Sequence, residues 1–284
     1  MTLLTSRRCY SSLNPLHSLV YFAPELEEEF TAVGLEQGRM CYFAGRAAAM
    51  GPVGAGPVTA TFYNFSPWLV AEHIPRAWDL AKPERILGAR LRGVDRALRR
   101  LLAEEIASDP DVAEAARLAL TAAEACTAAG RPLYAAHAEQ LAPEQPHLAL
   151  WHAITLLREH RGDGHLAALA AVELDGLEAL ITHTATGKGF TAEFAQRSRG
   201  WTRPEWDAAH ARLRERGILD PSGELTTAGR KTRQDAEDLT DRLGDGPYRH
   251  LGEAGVERLT EIGGRLTRTA VANGAFPAGV FAQG

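Results

Sequence analysis

The sequence predicts a mainly α-helical protein with a winged helix-turn-helix in its C-terminal half. Aromatic residues make up only 7% of the chain while alanine is frequent, which favours helices over β-sandwich cores. Segments with apolar residues at helical spacing recur along the chain. Between residues 165 and 230 the predicted order is helix, helix, longer helix, short hairpin, helix, which is the order of a winged helix-turn-helix.

Composition narrows the class of protein further. The chain has 284 residues, 45% of them hydrophobic, so it can bury a core and form two domains of ordinary size. A formal charge of −5 argues against unspecific polyanion binding by the surface as a whole. Three scattered cysteines predict neither a disulfide framework nor a zinc site. Because no long apolar segment is present, we expect a cytoplasmic protein that binds no membrane, no metal and no cofactor.

Residues 1–102 are predicted to form an N-terminal helical domain. Glu25–Ala49 indicates two helices, and a loop rich in glycine and proline follows at residues 50–57. Pro67 opens the next helix, and Pro83–Leu102 forms a long one with apolar residues at helical spacing. This half is either a degenerate second winged helix or an unrelated helical cap.

Two further segments complete the predicted division of the chain. Residues 103–146 are expected to form a helical bridge, in which Asp109 caps an alanine-rich helix. Residues 147–284 form the winged helix-turn-helix domain with its C-terminal helices. The first helix of that domain is expected to be interrupted by a tight turn at Gly162 and Gly164.

The wing is predicted from the residues that follow the longest helix of the motif. Thr202 is expected to cap helix 203–216. Residues 217–226 then suggest a short strand, a turn at residues 221–223 and a second short strand before the next helix.

Two sets of residues carry a resemblance to known families. Arg214–Asp220 followed by Leu225–Arg230 resembles the end of the recognition helix and the wing of MarR-like regulators. Through Tyr21–Glu25, Thr59–Phe65 and Leu157–His165, nearly the whole chain resembles an actinobacterial family of winged helix-turn-helix proteins. The resemblance implies this fold and brings no established reaction with it.

Charge is distributed in favour of DNA binding by the winged helix. Residues 188–233 hold ten basic and six acidic residues, a local charge of +4 in a chain of −5. Two acidic residues, Glu205 and Asp207, oppose phosphate early in the helix. The sequence therefore predicts a protein that binds double-stranded DNA as a small-molecule-responsive transcriptional regulator, as a monomer or a homodimer. The predicted DNA contacts are Arg203, Arg212, Arg214, Arg216, Arg230 and Lys231.

A second candidate site is a group of polar residues within residues 152–165. Its histidines and carboxylates are arranged so that an acid could orient a histidine as a general base. The candidate catalytic residues are His152, His160, Asp163 and His165. Their spacing matches no common zinc motif. The same residues serve equally well as partners that pin the two halves together, so catalysis and structure remain alternatives.

Further polar residues are candidates for binding a small-molecule ligand in a cleft between the two halves. Arginines there could clamp an anion. The predicted ligand residues are His17, Glu25, Arg46, Asn64, Arg158 and Arg161. The alternative to a DNA-binding regulator is accordingly an enzyme or ligand-binding protein of natural-product metabolism or DNA repair that uses this polar cleft on a winged-helix scaffold.

Overall fold

The structure is a computed structural model that describes residues 2–277, and almost all of its regular elements are α-helices. The helices of the first half are α1 Leu3–Ser18, α2 Pro24–Ala32, α3 Arg39–Ala47, α4 Ala55–Phe62, α5 Pro67–His73, α6 Ala77–Leu80, α7 Pro83–Leu102 and α8 Pro110–Ala123. The helices of the second half are α9 Pro132–Ala138, α10 Pro146–Ala171, α11 Gly176–Thr184, α12 Ala192–Arg199, α13 Arg203–Glu215, α14 Thr227–Gly244, α15 Gly246–Leu251 and α16 Glu253–Ala272.

The mainly helical prediction is confirmed, and several helix starts lie where local signals placed them. Helix α7 spans the predicted residues from Pro83 to Leu102. Asp109 caps α8, and its side chain accepts the N–H of Asp111 at 2.8 Å. Thr202 caps α13 in the same way through the N–H of Glu205. These starts follow from hydrogen bonds within a few residues, so the sequence alone specifies them.

The described residues fall into two compact units that interleave along the sequence. Unit 1 comprises residues 2–53, 73–164 and 241–276, and unit 2 comprises residues 54–72, 165–240 and 277. The domain borders at 102 and 146 stay a prediction about folding domains. Each unit is described separately below.

Close helix packing organises unit 1. Helix α1 packs along α16, α2 packs along α7, and α8 contacts both α15 and α16. Glycines permit two of these approaches: a Cβ at Gly263 would lie 2.6 Å from a methyl carbon of Leu13, and one at Gly93 would lie 3.1 Å from Cα of Leu26. Both separations are shorter than ordinary contact, so a side chain at either position would push the helices apart.

Helix α10 corrects the prediction of a tight turn near its middle. It continues without interruption from Pro146 to Ala171 through Gly162 and Gly164. A Cβ at Gly164 would lie 2.8 Å from Nη1 of Arg131. At Gly164 the glycine therefore makes room for a neighbouring side chain, a requirement that local sequence does not reveal.

Unit 2 is built around helices α11, α12 and α13. Their apolar faces share a core with the ends of the preceding and following helices, in which Trp206, Leu213 and Leu219 are buried. Residues 54–72 join this core through hydrogen bonds. The hydroxyl of Tyr63 donates to the carbonyl of Leu174 at 2.7 Å.

The predicted wing exists only as a minimal hairpin. Leu219 and Leu225 form one antiparallel β-bridge, and no strand is assigned anywhere in residues 2–277. The turn uses most of the segment, because the Asp220 carboxylate accepts the N–H groups of Ser222 and Glu224. Too few residues remain between α13 and α14 for two strands. The strands of a winged helix were therefore wrongly predicted, although the hairpin itself is present.

The length and the apolar character of a helix decide whether it can cross a membrane. None of the helices within the described residues combines the length and the apolar character that a bilayer span requires.

We predict that Gly229→Ala destabilises unit 2. A Cβ at Gly229 would lie 2.1 Å from the backbone oxygen of Ile218, which the hairpin cannot easily move. The expected loss is about 1–3 kcal/mol in the free energy of unfolding, measured by urea denaturation. Gly56→Ala is the matched control, since a Cβ there meets no atom within 4 Å. Equal stability of the two variants would contradict this packing.

Candidate functional site

A helix-turn-helix lies in unit 2. Residues 200–202 connect α12 to α13, and such a short turn that contains glycine is typical of this motif. Gly200 adopts a φ of +76°, a left-handed conformation that glycine accommodates without strain. Thr202 and Glu205 then form a capping box at the start of α13. Helix α13 is thus the second helix of the motif, the one that enters the major groove in DNA-binding proteins.

The two sides of α13 have different roles. Trp206, Ala209 and Leu213 are buried in the core of unit 2. Arg203 and Arg214 are exposed and lie three helical turns apart on one stripe, because eleven residues separate them. We call this set, which also contains Asp207 and His210, the α13 stripe. It lies beside the hairpin, since a Cβ at Gly223 would be 3.6 Å from His210.

Buried Glu178 holds the other arginines of α13 and its C-terminus. Its carboxylate accepts a hydrogen bond from Arg212 at 3.1 Å and one from Arg216 at 2.8 Å, with its side chain only 5% exposed. Arg212 also pairs with Asp175 at 2.9 Å. These contacts attach α13 to α11, so the two arginines fix the position of the helix.

The remaining predicted DNA-binding residues are exposed and have local partners. Arg203 pairs with Asp207 at 2.9 Å on the same helix. Arg214 donates to the backbone oxygen of Asp220 in the hairpin at 3.3 Å. On α14, Arg230 donates to the backbone oxygen of Leu225, and Lys231 pairs with Asp235.

The four candidate catalytic residues are not gathered into one site. His165 belongs to unit 2, where its Nδ1 lies 2.8 Å from the hydroxyl of Thr240. His152, His160 and Asp163 are buried in unit 1. Asp163 accepts the N–H groups of Leu133 and Tyr134 at the start of α9, at 3.1 and 2.9 Å. It therefore lies inside the continuous helix α10, where the sequence predicted a turn, and caps the start of α9.

Burial shifts the titration of two of these groups. It raises the pKa of Asp163 to about 6, against the hydrogen bonds from the α9 backbone. Burial and the charge of Arg131 lower the pKa of His160 to about 4. His160 packs edge-on against the ring of Tyr134. It is thus a neutral aromatic side chain at neutral pH.

Three of the predicted ligand residues lie close together in unit 1. Arg46 and Arg158 both bind the buried carboxylate of Glu159, at 3.3 and 2.5 Å. Tyr21 contacts both guanidiniums with its ring face. The third predicted residue, His17, packs edge-on against the Tyr21 ring and is fully buried.

The other three predicted ligand residues lie elsewhere. Glu25 pairs with Arg100 in unit 1. Arg161 pairs with Asp241 at 2.8 Å in the same unit. Asn64 lies in unit 2, where its backbone oxygen accepts the indole N–H of Trp201 at 2.9 Å.

Beside Arg46, unit 1 contains a cavity of about 530 Å³. It extends along α2 and α3, and Arg90 of α7 contributes to its wall. Its volume lies in the usual range for small-molecule sites. Sequence reasoning identified only Arg46 among its polar lining residues and missed Tyr21, Glu27, Arg39, Tyr42 and Arg90 as candidates.

A sequence signal for Arg90 does exist. Arg90 lies four residues after Ile86 and four before Val94, in the middle of the apolar stripe of α7. It is 4% exposed, and its guanidinium lies 4.8 Å from the ring centre of Trp151. An arginine at a core position of an amphipathic helix is uncommon.

Electrostatics in this region favour neutral histidines and a charged glutamate. Burial, followed by the charge of Arg90, lowers the pKa of His137 to about 3. Burial raises the pKa of Glu159, but the charges of Arg158 and Arg46 outweigh it and hold the pKa at about 2. At neutral pH His137 is therefore neutral and Glu159 is negatively charged. The three neighbouring guanidiniums, of Arg46, Arg90 and Arg158, are positively charged.

We predict that His137→Phe reduces the acid sensitivity of the protein. Because the pKa of His137 is lower in the folded than in the unfolded chain, its contribution to stability is present above pH 6.5 and is lost as the pH falls towards 3. The free energy of unfolding, measured between pH 7 and 5, should fall less steeply in the variant, by up to about 1.4 kcal/mol per pH unit at the acidic end of this range.

The parent protein is the reference for that measurement. An unchanged slope in His137→Phe would show that His137 does not resist protonation in the folded chain.

Comparison with known proteins assigns nearly the whole chain to one family. Among the described residues, histidines, cysteines and carboxylates form no group of three or more that could hold a metal ion. Neither the curated proteins nor the solved structures compared with the chain contain a match. A family model described as a helix-turn-helix family matches residues 6–277. The MarR-like and actinobacterial parts of the resemblance stay predictions. The chain belongs to this helix-turn-helix family.

Proposed function

We propose that this helix-turn-helix protein binds double-stranded DNA and acts as a transcriptional regulator that responds to a small molecule. The observation that carries the proposal is the exposed α13 stripe beside the hairpin, on a helix whose opposite side is buried in the core of unit 2. A helix held in this way can lie in the major groove while its outer arginines reach phosphates.

The predicted contacts divide into two groups in this proposal. Arg203 and Arg214 contact the DNA backbone from the α13 stripe, and Arg230 and Lys231 contact it from the start of α14, directly after the hairpin. Arg212 and Arg216 instead keep α13 in place through Glu178. Removal of either group weakens DNA binding, but only removal of the second also destabilises the unit.

Asp207 sets the strength of this interface. It pairs with Arg203 across one helical turn, and both side chains are more than half exposed. When DNA binds, Arg203 must exchange this carboxylate for a phosphate, while Asp207 approaches the negative duplex. Asp207 therefore reduces affinity for any DNA sequence.

We predict that Arg214→Ala weakens DNA binding severalfold and lowers the salt slope of the binding constant by about 1, the effect of one lost phosphate contact. Fluorescence anisotropy of a labelled duplex over a salt series measures both quantities. Arg117→Ala, at an exposed position of α8 in unit 1, is the control and should change neither. An unchanged slope in Arg214→Ala would remove the α13 stripe from the interface.

A second prediction concerns the acidic residue of the stripe. Asp207→Asn should strengthen DNA binding severalfold at low salt, because it removes a negative charge and releases Arg203 from its partner. The same anisotropy assay applies, with Glu257→Gln at an exposed position of α16 as the control. Weaker binding by Asp207→Asn would mean that the carboxylate itself contributes to DNA binding, and would contradict its assigned role of reducing affinity.

A further inference from the structure

The cavity in unit 1 combines apolar walls with an unusual concentration of buried cations. Arg46 and Arg90 line it together with the rings of Tyr21, Phe22 and Phe30. Its volume of about 530 Å³ is enough for a small organic molecule. Most of its surface would therefore contact an apolar body, and the arginines would contact a polar group.

Three guanidiniums and one buried carboxylate lie close together beside this cavity. Among the described residues, Arg46 and Arg158 both bind the carboxylate of Glu159. Arg90 forms no ion pair with any described residue. Buried cations are normally paired, and those without a partner are costly.

Arg90 has no acidic partner among the described residues. It is 4% exposed, and its polar neighbour is His137, at 3.5 Å from Nη1. Its Nη2 makes no hydrogen bond with any described residue. Burial lowers the pKa of His137 to about 3, so the histidine is neutral and supplies no counter-charge. The buried hydroxyl of Tyr21 likewise has no hydrogen-bond partner among the described residues.

We propose that this cavity binds a small organic anion, with a carboxylate or phosphate group held by Arg90 and Arg46 and an apolar body against the aromatic walls. A guanidinium matches either oxyanion because its planar N–H groups form two parallel hydrogen bonds. The site deepens the ligand-responsive part of the proposed function, on which its regulatory meaning rests. Binding itself requires no DNA.

Isothermal titration calorimetry of the full chain without DNA tests the site. The probes are 2-naphthoate, 2-naphthyl phosphate and the neutral 2-naphthalenemethanol. At least one anionic probe should bind tenfold or more tightly than the neutral one, and the better of the two identifies the headgroup. Equal binding of all three probes, or no binding of either anion, would overturn the proposal.

Variants assign the binding to Arg90. Arg90→Gln should weaken binding of the anionic probe at least tenfold, while the melting temperature of the free variant is not lowered, since an unpaired buried cation is removed. Arg85→Gln, at an exposed position of the same helix, is the matched control and should bind as the parent does. Full binding by Arg90→Gln would contradict the assignment.

Arg39→Gln protects this test against a folding defect in the first variant. Arg39 also lines the cavity but is only half-buried, and its loss should weaken anion binding severalfold without unfolding unit 1. Parent-like affinity in Arg39→Gln, together with an unfolded Arg90→Gln, would favour a structural role for Arg90 and reject the site. Because these titrations contain no DNA, failure of DNA binding would leave their result unaffected.

Discussion

A buried glutamate that binds two arginines is the constraint on which both compact units depend. In unit 1, Glu159 pairs with Arg46 and Arg158, and in unit 2, Glu178 pairs with Arg212 and Arg216. Both carboxylates are almost completely buried, so each must be satisfied by charged donors. Loss of either carboxylate would leave two guanidiniums to find new partners, and loss of an arginine would leave a buried negative charge less well paired.

The two clusters differ in their charge balance, and this difference relates structure to function. In unit 2, Asp175 adds a second carboxylate beside Glu178, so Arg212 and Arg216 are compensated and α13 is held firmly. The outer stripe of that helix is then the part available to a partner. In unit 1, Arg90 adds a third guanidinium that has no acidic partner among the described residues, and a cavity lies beside it. One cluster therefore completes a structural element, whereas the other contains the guanidinium to which we assign an anionic ligand.

How much of this could be predicted from the sequence depends on the range of the interactions. The starts of α7, α8 and α13 were predicted because proline and capping side chains act within one helical turn. The uninterrupted course of α10 was not predictable, since Gly164 is required by the side chain of Arg131, far away in sequence. The short hairpin was predicted, but its strands do not form. The Asp220 carboxylate holds the N–H groups of Ser222 and Glu224, so these residues belong to the turn. Arg212 was identified as a basic residue near the DNA, yet its partner Glu178 lies 34 residues earlier. Of the cavity's arginines, Arg46 was predicted as a ligand residue, whereas Arg90 was missed although it lies in the apolar stripe of α7.

The central claim is that this protein binds DNA through α13 and the hairpin. The most direct test is fluorescence anisotropy of the unmodified full chain with two labelled duplexes, one from the region upstream of its own coding sequence and one unrelated. We expect tight binding to the first duplex, weaker binding to the second, and a steep decrease of both affinities with salt. If the protein bound neither duplex even at low salt, the helix-turn-helix would be a scaffold and the claim would be wrong.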